Sequence, residues 1–431
     1  MSRVSDLDRA AEAVLRANDR GGFTVPTAGL YPYQWNWDSA FAALGFAEFD
    51  IDRAWRELET LAEGAWPNGM WPHILFRADD PDYFPGPSVW GAGTSVGAPI
   101  ASSGVSQPPV AATVARILYE RDPEAGLARL RALFPKLLAW RDWFHRDRRG
   151  SSGAILVTHP WESGRDNSPD WDGAMARVPI RDLGPFQRRD TGHVDPSMRP
   201  TKEDYDRYLS LVAWGREAGW DTHRIAAEGP FAVADPTMTF ILLRADRDLR
   251  VLAEGLGEIE AAARLGADCE AGAAAAEALW SEDLGAYAAR DERSGVFADG
   301  VSSAAMLAWY AGLRDPVHEA RLLATLHDLL DAAPLAVPSF DPRHPKFDAR
   351  RYWRGPVWAV VNWMVARGLH EAGHTSEAER LRRDTRRLIE GAGFYEYFDP
   401  CDGSGAGGPD FTWTAAIWLA WASPTKKEGW N

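Results

Sequence analysis

LYPYQWNWDSAF (residues 30–41) combines two kinds of local structure in one short stretch. Aromatic side chains stand at every second position from Tyr31 to Trp37, and this period is typical of an extended backbone. From Ser39 to Phe46, small and apolar residues recur at the period of a helix. We therefore predict an extended segment that leads directly into a helix, with alternate side chains directed into a pocket.

Composition limits the classes of function. The chain has 431 residues, is 45% hydrophobic and carries a formal net charge of −15. A large core is feasible, whereas the negative charge argues against a phosphate-backbone partner, so we expect no nucleic acid. No apolar run approaches the roughly 20 residues of a membrane span, and the charged N-terminus is unlike a signal peptide. Cys269 and Cys401 provide neither a disulfide framework nor a thiolate metal cluster. We expect a cytoplasmic protein with no membrane partner.

The aromatic content indicates the class of ligand. The sequence contains 21 Trp beside 11 Tyr and 17 Phe, more indole than a core requires. Indole surfaces suit sugar rings, because the C–H faces of a sugar stack on them while its hydroxyl groups bind polar neighbours. Composition therefore favours a carbohydrate as the ligand.

Most of the chain follows a helical period, in segments joined by few residues, as in antiparallel helical hairpins. Asp52, Pro356 and Gly373 are typical of helix ends. We predict an all-α protein forming a single domain over residues 1–431, in which inner and outer helices alternate around a toroid; an irregular α-bundle is the alternative. The predicted helices are 6–17, 39–46, 52–63, 109–120, 123–146, 203–217, 237–253, 256–265, 270–281, 302–313, 316–329, 356–371, 376–390 and 412–422.

Three long segments without a helical period interrupt this pattern. They are residues 76–107, 158–201 and 335–355. Long loops inside a compact domain usually carry function, and a toroid would gather them at one mouth. We expect the first of them to close over the ligand.

Residues 158–172, THPWESGRDNSPDWD, crowd carboxylates between two tryptophans, Trp161 and Trp171. Like charges and aromatic burial both raise a carboxyl pKa, which makes a general acid at neutral pH. The alternative is a solvated acidic loop with a turn at residues 167–169. The candidate carboxylates are Glu162, Asp166, Asp170, Asp172 and, a little later in the same loop, Asp182.

Two aromatic stretches near the C-terminus offer further chemistry. In GFYEYFDPCDGSG (393–405), Glu396 lies between Tyr395 and Tyr397, as either a hydrogen-bonded structural residue or a base for water. In RYWRGPVWAVVNW (351–363), Arg354 stands beside aromatic residues as a stacked cation or a substrate ligand. Pairing a carboxylate of the acidic loop with Glu396 requires the fold to bring distant segments together.

Other chemistries receive less support. HEAGH (370–374) matches a zinc motif, but Gly373 predicts a helix end and no third ligand is placed nearby. GSGAGG (403–408) matches a dinucleotide fingerprint, but it follows a turn rather than a strand. Neither a nucleophile elbow nor a phosphate-binding loop occurs. We expect no metal and no organic cofactor.

Taken together, QWNWDSAF, WESGRDNSPDWD, YWRGPVW and FYEYFDP with DFTWTAA resemble the inverting α-glycosidases of glycoside hydrolase family 63. These motifs extend from Tyr31 to Ala416, and the family shares its plan with the family 37 trehalases. The resemblance implies an (α/α)6 barrel without a cofactor, in which Asp166 is the general acid and Glu396 the general base. The two carboxyl groups would stand roughly 6.5–9.5 Å apart to admit the attacking water.

The resemblance also implies substrate contacts. One set of residues would hold the sugar whose bond is cleaved, and Arg199 and Tyr205 resemble additional sugar contacts. The residues that would hold that sugar are Trp35, Trp37, Asp38, Trp161, Tyr352, Trp353, Gly355 and Trp358.

The chain is similar to compact bacterial members that cleave mannosylglycerate or glucosylglycerate. Tyr31, Tyr83 and Gln107 match the residues that recognise glycerate in that subgroup, and a small anion needs such donors in an acidic cleft. Asp410 stands in GGPDFTWT at a position where some glycerate-cleaving members are expected to carry Gln, a difference that concerns a substrate contact and not the reaction. The alternatives are an α-glucosidase for a neutral disaccharide or short oligosaccharide, a sugar epimerase, and a non-catalytic sugar-binding protein. A homo-oligomer is compatible with the charged outer helices.

Overall fold

Helices alternate along the chain between an outer and an inner layer. The computed structural model describes residues 3–426. In that range, the odd-numbered helices of the barrel form the outer layer and the even-numbered helices form the inner layer. In chain order they are α1 (Arg3–Asn18), α2 (Asn36–Phe46), α3 (Ile51–Ala62), α4 (Val110–Arg121), α5 (Pro123–Asp147), α6 (Pro236–Leu256), α7 (Ile259–Ala276), α8 (Ala308–Ala311), α9 (Pro316–Ala332), α10 (Ala359–Ala372), α11 (Thr375–Ala392) and α12 (Thr412–Ile417).

The inner helices form a closed ring. α2 contacts α4, α4 contacts α6, and the sequence of contacts continues through α8 and α10 to α12, which returns to α2. Small residues allow this closure: a Cβ atom on Gly45 of α2 would lie 2.6 Å from the Cβ of Ala416 in α12. The predicted all-α (α/α)6 barrel is confirmed by this arrangement.

The two layers differ in how their side chains are buried. All residues of α2 are buried, as befits a helix enclosed by neighbours on every side. The outer helix α3 instead buries one stripe, including Trp55, Leu58 and Leu61, at helical spacing. Its N-cap is Asp50, whose side chain accepts the N–H of Arg53, and not the predicted Asp52. An N-cap side chain must reach two or three residues ahead, which places it before the helix.

Several predicted helix bounds are wrong. The segments 256–265 and 270–281 form one helix, α7, because Gly266 is flanked by residues that favour helix continuation. Only Ala305–Ala311 of the segment 302–313 is helical, since Ser303 N–H bonds to the carbonyl of Ser339 instead. Pro356 precedes α10, which begins at Ala359, while Gly373 ends it in the left-handed region as predicted.

The rest of the described structure consists of short strands and of segments inserted between the barrel helices. Antiparallel pairs join Gln34–Trp35 to Ile74–Leu75, Trp280–Ser281 to Ala286–Tyr287, and Tyr397–Phe398 to Gly405–Ala406. A three-stranded sheet has the order Leu156–Val157, Val233–Ala234, Arg290–Asp291. The insertions contain the α-helices Pro87–Trp90, Asp172–Met175, Asp190–His193, Lys202–Glu217 and Thr222–Glu228. The remaining 3-10 turns are Thr94–Val96, Pro160–Ser163, Pro169–Trp171, Pro196–Met198, Glu277–Leu279 and Ala305–Leu307, and a π-helix, Trp418–Ala422, extends α12.

Candidate active site

A cavity of about 850 Å³, including its open mouth, receives side chains from the opening stretch and from all three long segments. The pairing of Gln34–Trp35 with Ile74–Leu75 holds the opening stretch extended until α2 begins, as its aromatic period predicts. The predicted site residues that line the cavity are Tyr31, Trp35, Trp37, Asp38, Tyr83, Gln107, Trp161, Asp166, Arg199, Tyr205, Tyr352 and Glu396.

Three predicted sugar contacts do not line this cavity. The rings of Trp353 and Trp358 stack on each other with centroids 3.9 Å apart, and both side chains are buried. Trp358 also contacts Tyr352, edge to face at 5.2 Å. Gly355 lies against backbone, where an added Cβ would be 2.4 Å from the carbonyl oxygen of Asp348. Trp358, with Trp353 stacked on it, therefore supports Tyr352 from behind, while Gly355 allows two backbone segments to pack closely.

The Glu396 carboxylate is buried at the cavity and held by three donors. Tyr31 Oη donates to Oε1 at 3.1 Å, and Arg199 Nη2 donates to Oε2 at 2.6 Å. The backbone N–H of Gly408 donates to Oε2 at 3.2 Å. Arg199 Nη1 also donates to Tyr31 Oη at 3.0 Å, so the three side chains form one connected cluster. A carboxylate with so many donors keeps a defined orientation.

Ion pairs separate the carboxylates of the acidic loop into different roles. Glu162 is fully buried beside Arg148, with Nε 3.0 Å from Oε1, and Asp172 binds Arg354 at 2.9 Å. Asp170 pairs with Arg165 at 2.7 Å, and Asp182 is exposed. Asp166 is the member of this set that lines the cavity.

Asp166 stands on a turn that a glycine makes possible. Gly164 ends the 3-10 turn Pro160–Ser163 in the left-handed region, with φ 71°. A Cβ atom there would lie 2.7 Å from the Trp37 ring, so only glycine fits. The carbonyl of Asp166 accepts a hydrogen bond of 2.9 Å from Tyr208 Oη. Asp166, the candidate general acid, is thus held next to aromatic side chains that line the cavity.

Burial raises the pKa of Asp166 to about 7, with the Arg199 charge opposing and the Glu396 charge adding to this rise. A carboxyl group with this pKa is partly protonated at neutral pH and can act as an acid. Burial also raises the pKa of Asp38 well above its ordinary value, and the charges of Glu396 and Asp166 add to the effect. The raised pKa favours the protonated form of Asp38, at the N-terminus of α2, and a protonated carboxyl group can both donate and accept a hydrogen bond.

Cationic and neutral hydrogen-bond donors both line the cavity. Arg199 has its guanidinium carbon 4.7 Å from the Tyr352 ring centroid. Gln107 uses its Oε1 to accept the backbone N–H of Trp37 at 3.1 Å, which fixes the side-chain amide. Tyr83 and Tyr31 also line the cavity, and the pKa of each is raised by burial, so both keep their hydroxyl protons. This donor set suits an anionic group of the ligand.

Sequence reasoning missed several cavity residues. His73 lines the cavity with Nδ1 2.8 Å from Ser103 Oγ, and burial lowers its pKa so that the ring is neutral. Arg189 and Asp190 also line it, although their segment carries no recognisable motif. Trp413 could have been found, because it belongs to DFTWTAA; its Nε1 donates to the Glu396 carbonyl at 3.1 Å. The other unpredicted lining residues are Pro26, Leu30, Ile74, Phe84, Pro85, Gly164, Pro200 and Phe411.

Other motifs from the sequence have structural roles. His374 of HEAGH follows the end of α10 and binds Glu319 with Nε2 2.8 Å from Oε1. Arg354 is an ion-pair partner of Asp172, neither a stacked cation nor a ligand. Asp410, the departure from the expected Gln, is exposed and does not line the cavity. Between residues 3 and 426, no group of three His, Cys, Asp or Glu residues is placed to hold a metal ion. No helix in this range has the length and apolar character to cross a bilayer.

The model of one protein family matches residues 31–414, nearly the stretch that carries the motifs. This chain belongs to the mannosylglycerate hydrolase MGH1-like glycoside hydrolase family. Membership confirms the predicted family 63 relationship and establishes the chain as a glycosidase. The sugar epimerase and the non-catalytic binding protein are thereby excluded as descriptions of its class.

Characterised members of this glycoside hydrolase family match over nearly their whole length. The mannosylglycerate hydrolase of Thermus thermophilus is 47% identical, over 95% of this chain and 99% of that protein. The glucosylglycerate hydrolase of Mycolicibacterium hassiacum is 34% identical, over 97% of this chain and 98% of that protein. A crystal structure of a family 63 mannosylglycerate hydrolase from Thermus thermophilus, in complex with Tris and D-glycerate, superimposes with a TM-score of 0.91, at 45% identity and over 96% and 99% of the two chains.

Proposed function

We propose that this glycoside hydrolase cleaves 2-O-α-glucosyl- or 2-O-α-mannosyl-D-glycerate to hexose and D-glycerate with inversion at the anomeric carbon. The main support for the proposal is that Asp166, Glu396 and Arg199 line the same cavity, together with Tyr31. A raised carboxyl pKa supports an acid, an oriented carboxylate supports a base, and a guanidinium supports an anionic aglycone.

In the proposed mechanism, Asp166 protonates the glycosidic oxygen as the bond to the anomeric carbon breaks. Glu396 takes a proton from a water molecule that attacks the same carbon from the opposite face. The aromatic side chains that line the cavity, among them Trp37 and Trp161, would stack on the hexose, while Asp38 holds one of its hydroxyl groups. Asp166 ends the cycle ionised and Glu396 protonated, and exchange with solvent restores both.

A substrate panel tests the proposal. We expect hydrolysis of glucosylglycerate, mannosylglycerate or both, and at least about a hundredfold lower kcat/KM on kojibiose and trehalose, because these lack the carboxylate that the guanidinium and hydroxyl donors of the cavity would bind. Preference for the neutral disaccharides would support the α-glucosidase alternative, and no cleavage of either hexosylglycerate would overturn the proposal. The same panel decides between glucose and mannose.

Stereochemistry provides an independent test of the mechanism. Proton NMR of the first minutes of reaction should detect the β-hexose before mutarotation, whereas initial α-hexose would contradict inversion. Asp166→Asn and Glu396→Gln should each lower kcat by about 10²- to 10⁴-fold. Asp182→Asn is the control, because this exposed carboxylate belongs to the same acidic loop but does not line the cavity.

The role of Tyr31 in aglycone binding has a matched test. Tyr31→Phe also removes a donor to Glu396 Oε1 at 3.1 Å, so we expect kcat to fall. The aglycone contact is reported by KM for the hexosylglycerate, which should rise about tenfold because a hydrogen bond to a charged group contributes about 1.5–3 kcal/mol. Tyr33→Phe is the control, since its hydroxyl group donates to the Asp80 carbonyl and does not line the cavity. An equal KM in both variants would argue against an aglycone contact at Tyr31.

Two properties of this protein remain predictions, namely a cytoplasmic location and the formation of homo-oligomers. Cell fractionation tests the first. Light scattering coupled to size-exclusion chromatography tests the second, with a mass of one chain as the result that would contradict it.

A further inference from the structure

Arg165, which immediately precedes Asp166, is buried with 2% of its side chain exposed. Its Nη1 lies 2.7 Å from Asp170 Oδ2, and its Nη2 lies 2.9 Å from Asp235 Oδ1. The guanidinium carbon is also 4.9 Å from the Trp171 ring centroid. Burying a guanidinium group is costly unless such partners compensate it, so this cluster stabilises the side chain in one position.

The two carboxylates connect the acidic loop to distant parts of the barrel. Asp235 is the N-cap of the inner helix α6 and accepts the N–H groups of Thr237 and Met238, both at 3.1 Å. Asp170 accepts a hydrogen bond of 2.7 Å from Ser302 Oγ. Ser302 is far along the chain, in the segment that precedes α8. Arg165 therefore joins the loop both to the N-terminus of α6 and to the segment that precedes α8.

The backbone of Arg165 is equally restrained. Its N–H donates to Ser163 Oγ at 2.9 Å, and its carbonyl accepts from Trp171 Nε1 at 2.8 Å. On the other side of Asp166, Asn167 Oδ1 accepts the N–H of Trp353 at 2.9 Å. Both chain neighbours of Asp166 are thus tied to separate elements, while its own carboxyl group faces the cavity.

We propose that Arg165 is a positioning residue that sets the location of the Asp166 carboxyl group by linking its turn to α6 and to Ser302. The inference rests on the proposed role of Asp166 as the general acid. Proton transfer is sensitive to distance, and a shift of about 1 Å at a reacting group can cost about 10²-fold in rate. Arg165 itself does not line the cavity, so its effect reaches the substrate through Asp166.

Arg165→Lys tests this role. Lysine keeps the positive charge, but a single ammonium group cannot bind two carboxylates in the fixed fork of a guanidinium group. We expect kcat on the hexosylglycerate to fall about 50-fold, with KM within about threefold of wild type, because the substrate contacts are on other residues. Unchanged kcat would overturn the proposal.

An activated substrate separates positioning of the acid from general damage. In an α-hexosyl fluoride, the C–F bond breaks with its electron pair leaving as fluoride, and no proton from Asp166 is required; water still loses its proton to Glu396. We expect Arg165→Lys to retain α-hexosyl fluoride turnover within about threefold of wild type while it loses hexosylglycerate turnover. Equal losses on both substrates would overturn the proposal.

Arg244→Lys is the matched control. Arg244 is likewise buried, binds Asp248 at 2.8 Å and Glu371 at 2.9 Å, and lies 4.8 Å from the Tyr310 ring. It does not line the cavity, so we expect a similar loss in Tm with unchanged kcat for the folded fraction. A kcat loss equal to that of Arg165→Lys would show that any buried arginine has this effect, and would refute the specific role.

Ser302→Ala decides the matter if Arg165→Lys fails to fold. It removes the hydroxyl group that binds Asp170 and that lies 3.2 Å from Arg165 Nη1, while leaving all charges in place. We expect about fivefold lower kcat on the hexosylglycerate with unchanged turnover of the fluoride; wild-type kcat would overturn the proposal. Asp166→Asn distinguishes failure of the proposed function from failure of the positioning role. Full activity of Asp166→Asn would refute the proposed function. An inactive Asp166→Asn together with a fully active Arg165→Lys would refute only the positioning role of Arg165.

Discussion

At the scale of single residues, the surroundings of each carboxyl group decide what it does. Glu162 and Asp170 each face a buried guanidinium group, at 3.0 Å and 2.7 Å, and are thereby committed to structure. Asp166, only a few residues from either, faces the cavity, and burial raises its pKa to about 7. One acidic loop thus separates its members into ion-pair partners and a proton donor. Their local sequence contexts differ too little to predict this division.

The raised pKa of Asp166 has a consequence for stability. The pKa rises from 3.8 to about 7 on folding, so the unfolded state loses its proton first as pH increases. Stability from this group is complete below about pH 4 and is lost as pH rises through about 7. We expect Asp166→Asn to raise Tm relative to wild type by on the order of 2 °C more at pH 8 than at pH 5.

Calorimetry at both pH values checks this difference. Asp182→Asn is the control because its carboxyl group is exposed, and it should change Tm equally at pH 5 and pH 8. A pH-independent effect of Asp166→Asn would contradict the raised pKa. In the wild-type enzyme, the same protonation predicts that kcat/KM declines as pH rises above about 7.

At the scale of elements, the hairpin Tyr397–Phe398 with Gly405–Ala406 shapes the surroundings of the base. Gly407, directly after it, has φ 75°, and an added Cβ would lie 2.3 Å from Glu396 Oε2. Gly407 of GSGAGG therefore permits a close approach of backbone to carboxylate. In the same motif, Gly405 lies against the Tyr395 ring, where an added Cβ would be 2.3 Å away.

Gly407→Ala tests the close approach. The methyl group must displace the Glu396 carboxylate, so we expect kcat to fall about 100-fold or more. Gly373→Ala is the control: it shares a positive φ of 91° but has nothing within 4 Å of an added Cβ. That variant should lose about 1 kcal/mol of stability and keep its kcat. Equal kcat in the two variants would mean that the contact does not position the base.

The two longest loops contact each other beside the cavity. The rings of Phe84 and Phe186 stack with centroids 5.1 Å apart, and Arg189 Nη1 donates to Asp80 Oδ2 at 2.9 Å. These contacts give a physical basis for the predicted closure of residues 76–107, which remains a prediction. We expect D-glycerate to reduce hydrogen exchange in this segment, because a ligand held by both loops suppresses their separation. Exchange that is unchanged at saturating D-glycerate would contradict closure.

At the scale of the whole molecule, the outer helix α1 joins the two ends of the ring. Asp8 accepts hydrogen bonds of 2.8 Å from Trp418 Nε1 and from Ser423 Oγ. Asn18 Nδ2 donates to Thr412 Oγ1 at 3.0 Å, at the start of α12. Contacts between the first and last helices of this kind support the prediction of one domain over the chain.

Asp8→Ala should weaken this closure. The indole N–H of Trp418, which is fully buried, would lose its partner, at a cost of about 2–3 kcal/mol in the free energy of unfolding. We expect Tm to fall by about 2–3 °C with unchanged kcat at 25 °C. Asp6→Ala is the control, since Asp6 is 59% exposed beside Arg9 and such surface pairs contribute little. Equal Tm values for both variants would contradict a closing role for Asp8.

The amino-acid sequence by itself determined the helical class, most helix positions and the residue types of the site, because helical period, caps and short motifs act over a few neighbouring residues. It therefore identified Asp166 and Glu396 as candidates. The tertiary structure alone decided which carboxylates are neutralised by arginine, that Trp353 and Trp358 lie behind Tyr352, and that His73 and Arg189 line the cavity. These outcomes depend on contacts between segments far apart in the chain, which only the closure of the helical ring brings together.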